Sequence, residues 1–173
     1  MPNKHIVLIG MPGVGKTSVG KCLSALLNLK HIDIDQQIES KESESINDII
    51  KKRGEEVFRA LEKEELKRSI QNQSISIIST GGGIIINDES RNLIKQKSHG
   101  IHLKSTIKEI AERIDASTRP LLYNTNKIEK LEGLWLKRKK LYNRVAQTAL
   151  SVEGLSIKEA AQKVYQEVQS VYN

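Results

Sequence analysis

The stretch Gly10-Met-Pro-Gly-Val-Gly-Lys-Thr17 matches the pattern G-x-x-x-x-G-K-[ST] at every defined position. The segment His5-Ile-Val-Leu-Ile9 precedes it and is typical of a short buried strand. In residues 16–28, which follow, apolar side chains recur at the spacing of one helix face. A strand, a glycine-rich turn and a helix in this order form the context in which the motif binds phosphate, and a chance glycine-rich turn would lack it.

The predicted chemistry of this loop comes largely from its backbone. Glycines allow successive N–H groups to face phosphate oxygens, and the N-terminus of the following helix adds its positive dipole end. We expect Lys16 to reach the β- and γ-phosphates and the Thr17 hydroxyl to hold Mg²⁺. The residues predicted to bind ATP here are Gly13, Val14, Gly15, Lys16, Thr17 and Ser18.

Length and composition limit the possible classes of protein. A chain of 173 residues predicts a single domain, residues 1–173, with enough chain for a hydrophobic core. No apolar run is long enough to cross a bilayer, so no membrane partner is expected, and the first residues do not form a signal peptide. The single cysteine, Cys22, is predicted to be a small core residue, and a cytoplasmic location is expected.

The formal net charge of +7 raises the question of nucleic-acid binding. Basic residues are densest at Lys137-Arg-Lys-Lys140, but aromatic residues make up only 3% of the chain and offer few surfaces for stacking bases. A cleft for a nucleoside triphosphate and a second anionic substrate also requires positive charge. We therefore expect no nucleic-acid partner.

Strand and helix patterns alternate along the chain. The predicted strands are 5–9, 31–35, 75–79, 101–103 and 150–152. The predicted helices are 16–28, a helix from Ser45 to about Gly54, 55–72, 88–97, 106–114, a long helix with apolar positions from Leu131 to Ala149, and a last helix after Ser156. Residues 116–126 are polar and predict a mobile loop. The alternation predicts an α/β fold, in which helices cover both faces of a parallel sheet.

Two acids, Asp33 and Asp35, are predicted at the carboxyl end of the second strand, where ligands bind in open α/β sheets. Because one residue separates them, an extended backbone would present both carboxylates on the same face. One acid near Mg²⁺ and one near an attacking hydroxyl would suit phosphoryl transfer. Asp35 could equally be the N-cap of the next helix, and the spacing does not decide between the two interpretations.

Two further segments have unusual residue combinations. In Gly54-Glu-Glu-Val-Phe-Arg-Ala-Leu-Glu62, Arg59 and Glu62 are placed to form an ion pair on one helix, and such a pair contributes little if it is exposed. The triplet Gly81-Gly-Gly83 follows a predicted strand. It predicts either a flexible turn or a close approach of backbone to a ligand.

In order and spacing, these segments resemble the shikimate kinase family. The resembling segments are Gly10 to Thr17, Asp33-x-Asp35, Gly54-Glu-x-x-Phe-Arg-x-x-Glu62, Gly81-Gly-Gly83, Arg119-Pro-Leu-Leu122 and Arg138-x-x-Leu-Tyr142. The resemblance spans nearly the whole chain, and its combination of motifs is far more specific than the phosphate loop alone. It implies transfer of the ATP γ-phosphate to the 3-hydroxyl of shikimate, in the pathway to chorismate and the aromatic amino acids.

The resemblance also implies a particular architecture. The fold would be a P-loop, nucleoside-monophosphate-kinase-like fold with a five-stranded parallel sheet flanked by helices. A substrate-binding region would lie at about 33–62 and a mobile lid at about 116–126. The resemblance further implies a monomer.

For the substrate, the resemblance implies four binding residues. Arg59 and Arg138 would bind the shikimate carboxylate, and their planar guanidinium groups suit such a group. Gly82 would offer its backbone to shikimate, and Asp35 would contact shikimate hydroxyls as the candidate base. Glu62 would contact Arg59 rather than shikimate and would orient the Arg59 side chain.

For the nucleotide, the resemblance implies Mg²⁺ at Thr17 and Asp33, with Asp33 acting through water. Arg113 is the candidate for contact with adenine, together with the loop at 152–156. Arg119, on the lid, would reach the transferring phosphate and neutralise its charge. The implied catalytic residues are therefore Lys16, Asp35 and Arg119.

Two other functions compete with this one. A kinase for another polyol acid, such as gluconate, would share the phosphate loop but not the pair Arg59 and Arg138 with the glycine triplet. A regulatory nucleotide-binding protein with a decayed site is disfavoured, because Lys16, the two acids and Arg119 are intact. Lys140 is a departure from the family pattern, which commonly has proline at this position.

Overall fold

The computed structural model describes residues 2–114 and 127–172, and in this part of the chain a five-stranded sheet lies among helices. The strands are β1 (His5–Ile9), β2 (Lys30–Asp33), β3 (Ser76–Ser79), β4 (Ser98–Lys104) and β5 (Thr148–Ser151). Their order in the sheet is β2-β3-β1-β4-β5, and every neighbouring pair is parallel. The central strand β1 is buried along its whole length, as expected where helices cover both faces of a sheet.

Helices connect the strands and form the outer layers. They are α1 (Lys16–Leu27), α2 (Ile34–Glu42), α3 (Ile46–Arg53), α4 (Glu55–Ile70), α5 (Asp88–Lys97), α6 (Ile107–Arg113), α7 (Lys127–Val145) and α8 (Ile157–Tyr172). A short 3₁₀ turn, Ile84–Ile86, follows the glycine triplet. The predicted α/β class, with five parallel strands flanked by helices, is confirmed.

Side-chain caps fix the starts of three helices where the sequence predicted them. Ser45 and Thr106 each accept a hydrogen bond from the backbone N–H three residues later, at 3.1 and 3.4 Å. Ser156 and Glu159 form a complete capping box. The Glu159 N–H donates to Ser156 Oγ at 3.3 Å, and the Ser156 N–H donates to Glu159 Oε2 at 2.8 Å.

The predicted geometry of the two acids is wrong. Strand β2 ends at Asp33 and α2 begins at Ile34, so Asp35 lies in the first helical turn and not on an extended segment. The cap of α2 is Asp33, whose Oδ1 accepts a hydrogen bond from the Gln36 N–H at 3.1 Å. Because Asp33 satisfies a backbone donor that a helix start leaves unpaired, the helix begins earlier than the sequence pattern indicated.

Two boundaries in the second half of the chain also differ from prediction. Strand β4 begins at Ser98, well before the predicted 101, because it pairs with β1 from His5 onward. Helix α7 ends at Val145, and Ala149 lies in β5, where it pairs with His102 of β4. Strand pairing across the sheet decides both boundaries, and helix-spaced apolar residues do not reveal it.

Apolar side chains from both faces of the sheet form the core. Cys22, which was predicted to belong to the core, is only partly buried and packs against it. None of the helices within 2–114 and 127–172 is long and apolar enough to cross a membrane. The predicted lid at 116–126 and Arg119 lie outside the described residues, and both stay predictions.

Close packing at Gly20 predicts a stability difference between two glycines in helices. A Cβ added at Gly20 would lie 2.5 Å from Ser79 Oγ and 2.7 Å from His31 Nε2, which are hydrogen-bonded to each other at 2.9 Å. We expect Gly20→Ala to lower the free energy of unfolding by about 1–3 kcal/mol. At Gly133 no described atom lies within 4 Å of an added Cβ, and Gly133→Ala should raise it by about 0.5–1 kcal/mol. Urea unfolding of both variants checks this, and equal stabilities would contradict the packing at Gly20.

Candidate active site

The loop between β1 and α1 depends on glycine at three positions. Gly10, Gly13 and Gly15 have φ of 148°, 81° and 102°, which other residues rarely adopt. A Cβ at Gly13 would also lie 2.3 Å from Ile114 Cγ1. Gly15 is the N-cap of α1, so the unpaired N–H groups of the first helical turn lie at the end of this loop. This backbone can bind an anion such as phosphate.

Lys16 is held against the same loop. Its side chain is buried, and Nζ donates hydrogen bonds to the carbonyls of Gly10 at 2.9 Å and Met11 at 2.8 Å. The loop thus fixes a positive charge where α1 begins. The adjoining cleft, of ≈ 160 Å³, is lined by Gly13, Gly15, Lys16, Thr17, Ser18, Asp35, Thr80, Gly81 and Gly82. It brings together the phosphate loop, Asp35 and the glycine triplet, which are remote in sequence.

Thr17 and Asp33 form a pair of oxygen ligands beside this cleft. The Thr17 hydroxyl donates a hydrogen bond to Asp33 Oδ2 at 2.6 Å. A hydroxyl and a carboxylate are the hard oxygen donors that Mg²⁺ prefers. No group of three or more His, Cys, Asp or Glu in the described ranges could hold a metal ion by itself. The donor set therefore fits an ion that takes its other ligands from phosphate and water.

The glycine triplet allows α2 and α4 to approach the end of β3. A Cβ at Gly81 would lie 2.3 Å from Glu62 Oε1 and 3.0 Å from Asp35 Oδ1. A Cβ at Gly83 would lie 2.3 Å from Arg59 Nη1. Close approach to neighbouring side chains, and not flexibility alone, therefore explains the triplet.

The predicted pair Arg59 and Glu62 is present and is not an exposed pair. Arg59 Nη1 donates to Glu62 Oε2, and the two side chains are 17% and 1% exposed. On its other edge, Arg59 donates through Nε and Nη2 to Glu55 Oε1, at 3.2 and 2.7 Å. Its Cζ lies 5.0 Å from the centroid of the Phe58 ring. These contacts hold the guanidinium in one orientation at the glycine triplet.

Glu62 has an unusual environment for a carboxyl group. Burial raises its pKa to about 7, against the opposing charge of Arg59 and with a further contribution from Asp35. Its Oε1 has no hydrogen-bond partner among the described residues.

Arg138 belongs to the same cluster and not to a solvated basic face. It is 7% exposed, and its Nη1 donates to the Gly82 carbonyl at 3.3 Å. The Tyr142 hydroxyl donates to the same carbonyl at 2.6 Å. Burial raises the pKa of Tyr142 well above its ordinary value although Arg138 opposes this, so the phenol keeps its proton and remains a donor. Helix α7 thereby fixes the middle of the glycine triplet.

Arg113 lies where the phosphate loop meets the segment before α8. Its Nη1 and Nη2 donate to the carbonyls of Val14 at 3.5 Å and Leu155 at 3.4 Å. Nη2 also contacts Glu109, which accepts a hydrogen bond from the Gly154 N–H at 3.1 Å. The two segments predicted to contact adenine, Arg113 and 152–156, are therefore neighbours.

Two neighbours of the site were not predicted from sequence. Glu55 lies four residues before Arg59, and this spacing is a signal for an ion pair. His102, in β4, stacks on Tyr142 with ring centroids 4.7 Å apart, and burial lowers its pKa to about 4. No sequence pattern distinguishes this histidine from other strand residues. Arg119 is outside the described residues, so the structure does not place it.

Comparisons with known proteins point to one family. The sequence model of the family described as shikimate kinase matches residues 12–169. The shikimate kinase of Thermodesulfovibrio yellowstonii is 37% identical over 171 residues, which cover 98% of each chain. Shikimate kinase from Acinetobacter baumannii, solved in complex with shikimate, superposes with a TM-score of 0.93 at 32% identity, covering 97% of this chain and 94% of that one. A gluconokinase from Sinorhizobium meliloti, with a TM-score of 0.57 at 12% identity and coverage of 97% and 93%, shares the fold alone.

The buried carboxyl of Glu62 predicts a pH-dependent stability. Because its pKa is raised from 4.5 to about 7 in the folded state, the folded chain binds this proton more tightly than the unfolded chain. The stabilisation is complete below the unfolded pKa and is lost as the pH rises through the folded pKa. Wild type should therefore lose about 1–3 kcal/mol relative to Glu62→Gln between about pH 4.5 and pH 7. Urea unfolding across this range tests it. Glu64→Gln, at an exposed position on the same helix, is the control: it keeps Glu62, so its stability should fall with pH as that of wild type does.

Proposed function

The chain belongs to the shikimate kinase family, and we propose that it transfers the γ-phosphate of ATP to the 3-hydroxyl of shikimate, giving shikimate 3-phosphate and ADP. The reaction is a step of the pathway to chorismate and the aromatic amino acids. The observation that carries the proposal is the cluster that Arg59 and Arg138 form against the glycine triplet, whose Gly81 and Gly82 line the cleft beside the phosphate loop. It offers two fixed cations for the carboxylate of an acid beside a site for phosphate.

On the nucleotide side, the backbone of 13–18 binds the phosphates, and Lys16 moves from its carbonyl partners toward the β/γ oxygens. Thr17 and Asp33 are the residues that would hold Mg²⁺. When bound, this ion neutralises charge on the phosphate oxygens. Arg113 contacts the adenine together with 152–156. Arg119 contacts the transferring phosphate from a lid at about 116–126, a proposal that rests on sequence resemblance.

On the acceptor side, Arg59 and Arg138 bind the shikimate carboxylate. Glu62 and Glu55 orient the Arg59 guanidinium. Hydrogen bonds from Arg138 and Tyr142 to the Gly82 carbonyl hold α7 against the glycine triplet and so position Arg138. The backbone at Gly82 faces the substrate. Asp35 lines the cleft beside the phosphate loop, where its carboxylate orients the 3-hydroxyl and accepts its proton during transfer.

From the family resemblance alone, we propose that the enzyme acts as a monomer. We also propose a cytoplasmic enzyme that binds no nucleic acid. The positive charges of Lys16 and Arg138 are buried in the site, where they serve the two anionic substrates.

The decisive assay measures ADP release with ATP and Mg²⁺ in the presence of shikimate, of gluconate or of no acceptor. Release that depends on shikimate, with gluconate no better than the blank, is the expected result. Release with gluconate would favour the other polyol-acid kinase. ATP binding without release with any acceptor would favour a regulatory nucleotide-binding protein.

Arg138 should be sensitive to loss of its planar group. Lysine cannot reproduce the bidentate geometry of a guanidinium, and disrupting a buried charge pair costs about 2–5 kcal/mol. Arg138→Lys should therefore weaken shikimate binding by at least about 30-fold and leave ATP affinity nearly unchanged. Arg144→Lys, exposed on the same helix, is the matched control and should bind shikimate as wild type does. Titrating shikimate and ATP against both variants tests this prediction. Unchanged shikimate affinity in Arg138→Lys would mean that the carboxylate binds elsewhere.

Lys16 should act mainly on the chemical step. Its buried ammonium is fixed beside the cleft, where it can stabilise charge that develops during transfer. Lys16→Ala should lower kcat by at least about 100-fold. Lys21→Ala, exposed on α1, should leave kcat unchanged. Turnover is measured together with Tm, and near-normal kcat in a folded Lys16→Ala variant would exclude this role.

A further inference from the structure

Glu62 is a buried carboxyl group, and the proposed function gives a role to only one of its two oxygens. Its side chain is 1% exposed, and only Oε2 has a hydrogen-bond donor, Arg59 Nη1, among the described residues. The other oxygen, Oε1, lies against the Cα of Gly81, where a Cβ would be 2.3 Å away. An ionised carboxylate in such a place normally has donors for both oxygens, so the environment favours the protonated form.

The charges around Glu62 come from three helices. On α4, Arg59 contacts Glu62 directly and is shared with Glu55. From α2, the Asp35 carboxylate approaches the same point above Gly81 and adds negative charge. From α7, the Arg138 guanidinium lies within electrostatic range, and Tyr142 is the other titratable group on that side. The two guanidinium groups thus favour the ionised form of Glu62, whereas burial and the neighbouring Asp35 carboxylate favour the protonated form.

We propose that Glu62 is a positioning residue that takes up a proton from solvent when the carboxylate of shikimate binds to Arg59 and Arg138. The inference rests on the proposed function, because it takes the second anion in the cluster to be that carboxylate.

The reason is competition between two anions for the same cations. When the substrate carboxylate engages Arg59 and Arg138, it adds a negative charge beside Glu62 and withdraws part of the stabilisation that those cations provide. Both changes favour the neutral acid. Protonated Glu62 still accepts the hydrogen bond from Arg59 Nη1 through its carbonyl oxygen, so the guanidinium keeps its orientation while its charge is released to the substrate.

Proton uptake by Glu62 should weaken shikimate binding as the pH rises. Burial raises the pKa of Glu62 to about 7 in the ligand-free protein, and bound shikimate raises it further. Below about pH 6 the group is neutral in both states, and shikimate affinity is independent of this proton. Above about pH 7, binding requires proton uptake, and Kd should rise by up to about tenfold per pH unit until the pKa of the complex is reached.

The test is calorimetric titration of shikimate at about pH 7.5 in two buffers that differ in ionisation enthalpy. The buffer dependence of the binding enthalpy gives the number of protons taken up. Wild type and the control Glu64→Gln should take up a substantial fraction of one proton. Glu62→Gln should take up none, and its Kd should no longer rise with pH. A role in folding alone would not produce these differences.

Uptake that persists in Glu62→Gln but disappears in Asp35→Asn would assign the proton to Asp35 and overturn the proposal. If Glu62→Gln does not fold, infrared difference spectra of wild type with and without shikimate decide. The C=O band of a protonated carboxylic acid should grow on binding, and its absence would overturn the proposal. Shikimate that binds without proton uptake contradicts this inference only, whereas a chain that binds no shikimate at any pH contradicts the proposed function.

Discussion

The lack of side chains at Gly81, Gly82 and Gly83 is the constraint on which the site depends. At each position a Cβ would collide with a different part of the protein. The neighbours are the carboxylates of Asp35 and Glu62, the Pro12 ring of the phosphate loop, and the guanidinium of Arg59. Backbone alone therefore occupies the space between α2, α4 and the loop, beside the cleft that Asp35 and the phosphate loop line.

Buried charge gives this small space its chemistry. Lys16 and Arg138 are both nearly inaccessible, and each donates to backbone carbonyls that fix its direction. Isolated buried cations are costly, but they become favourable when phosphate and carboxylate supply the missing anions.

The sequence predicts those features that depend on interactions between residues close together in the chain, and it misses features that depend on remote residues. The phosphate loop, its flanking elements and three helix caps follow from local patterns, and the structure confirms them. The position of Asp35 in α2 could not be predicted, because Asp33 acts both as the cap and as the partner of Thr17. The pairing of Ala149 in β5 depends on a strand remote in sequence.

The charged cluster was predicted only through family resemblance. Taken locally, Arg138 is one residue of a basic run, and nothing in that run indicates that Tyr142 and the Gly82 carbonyl bury it. Likewise, the spacing of Arg59 and Glu62 predicts a pair but not its burial, which depends on α4 lying against the glycine triplet. Burial is a tertiary property, and it separates a functional ion pair from an ordinary surface one.

The central claim is that Arg59 and Arg138 together recognise the carboxylate of the acceptor. The most direct measurement is kcat/KM of the wild-type enzyme for shikimate and for its carboxamide, which keeps the ring and all three hydroxyls. The account predicts that kcat/KM for the carboxamide is at least about 100-fold lower, because the two guanidinium groups lose their anion. Equal values for the two compounds would contradict it.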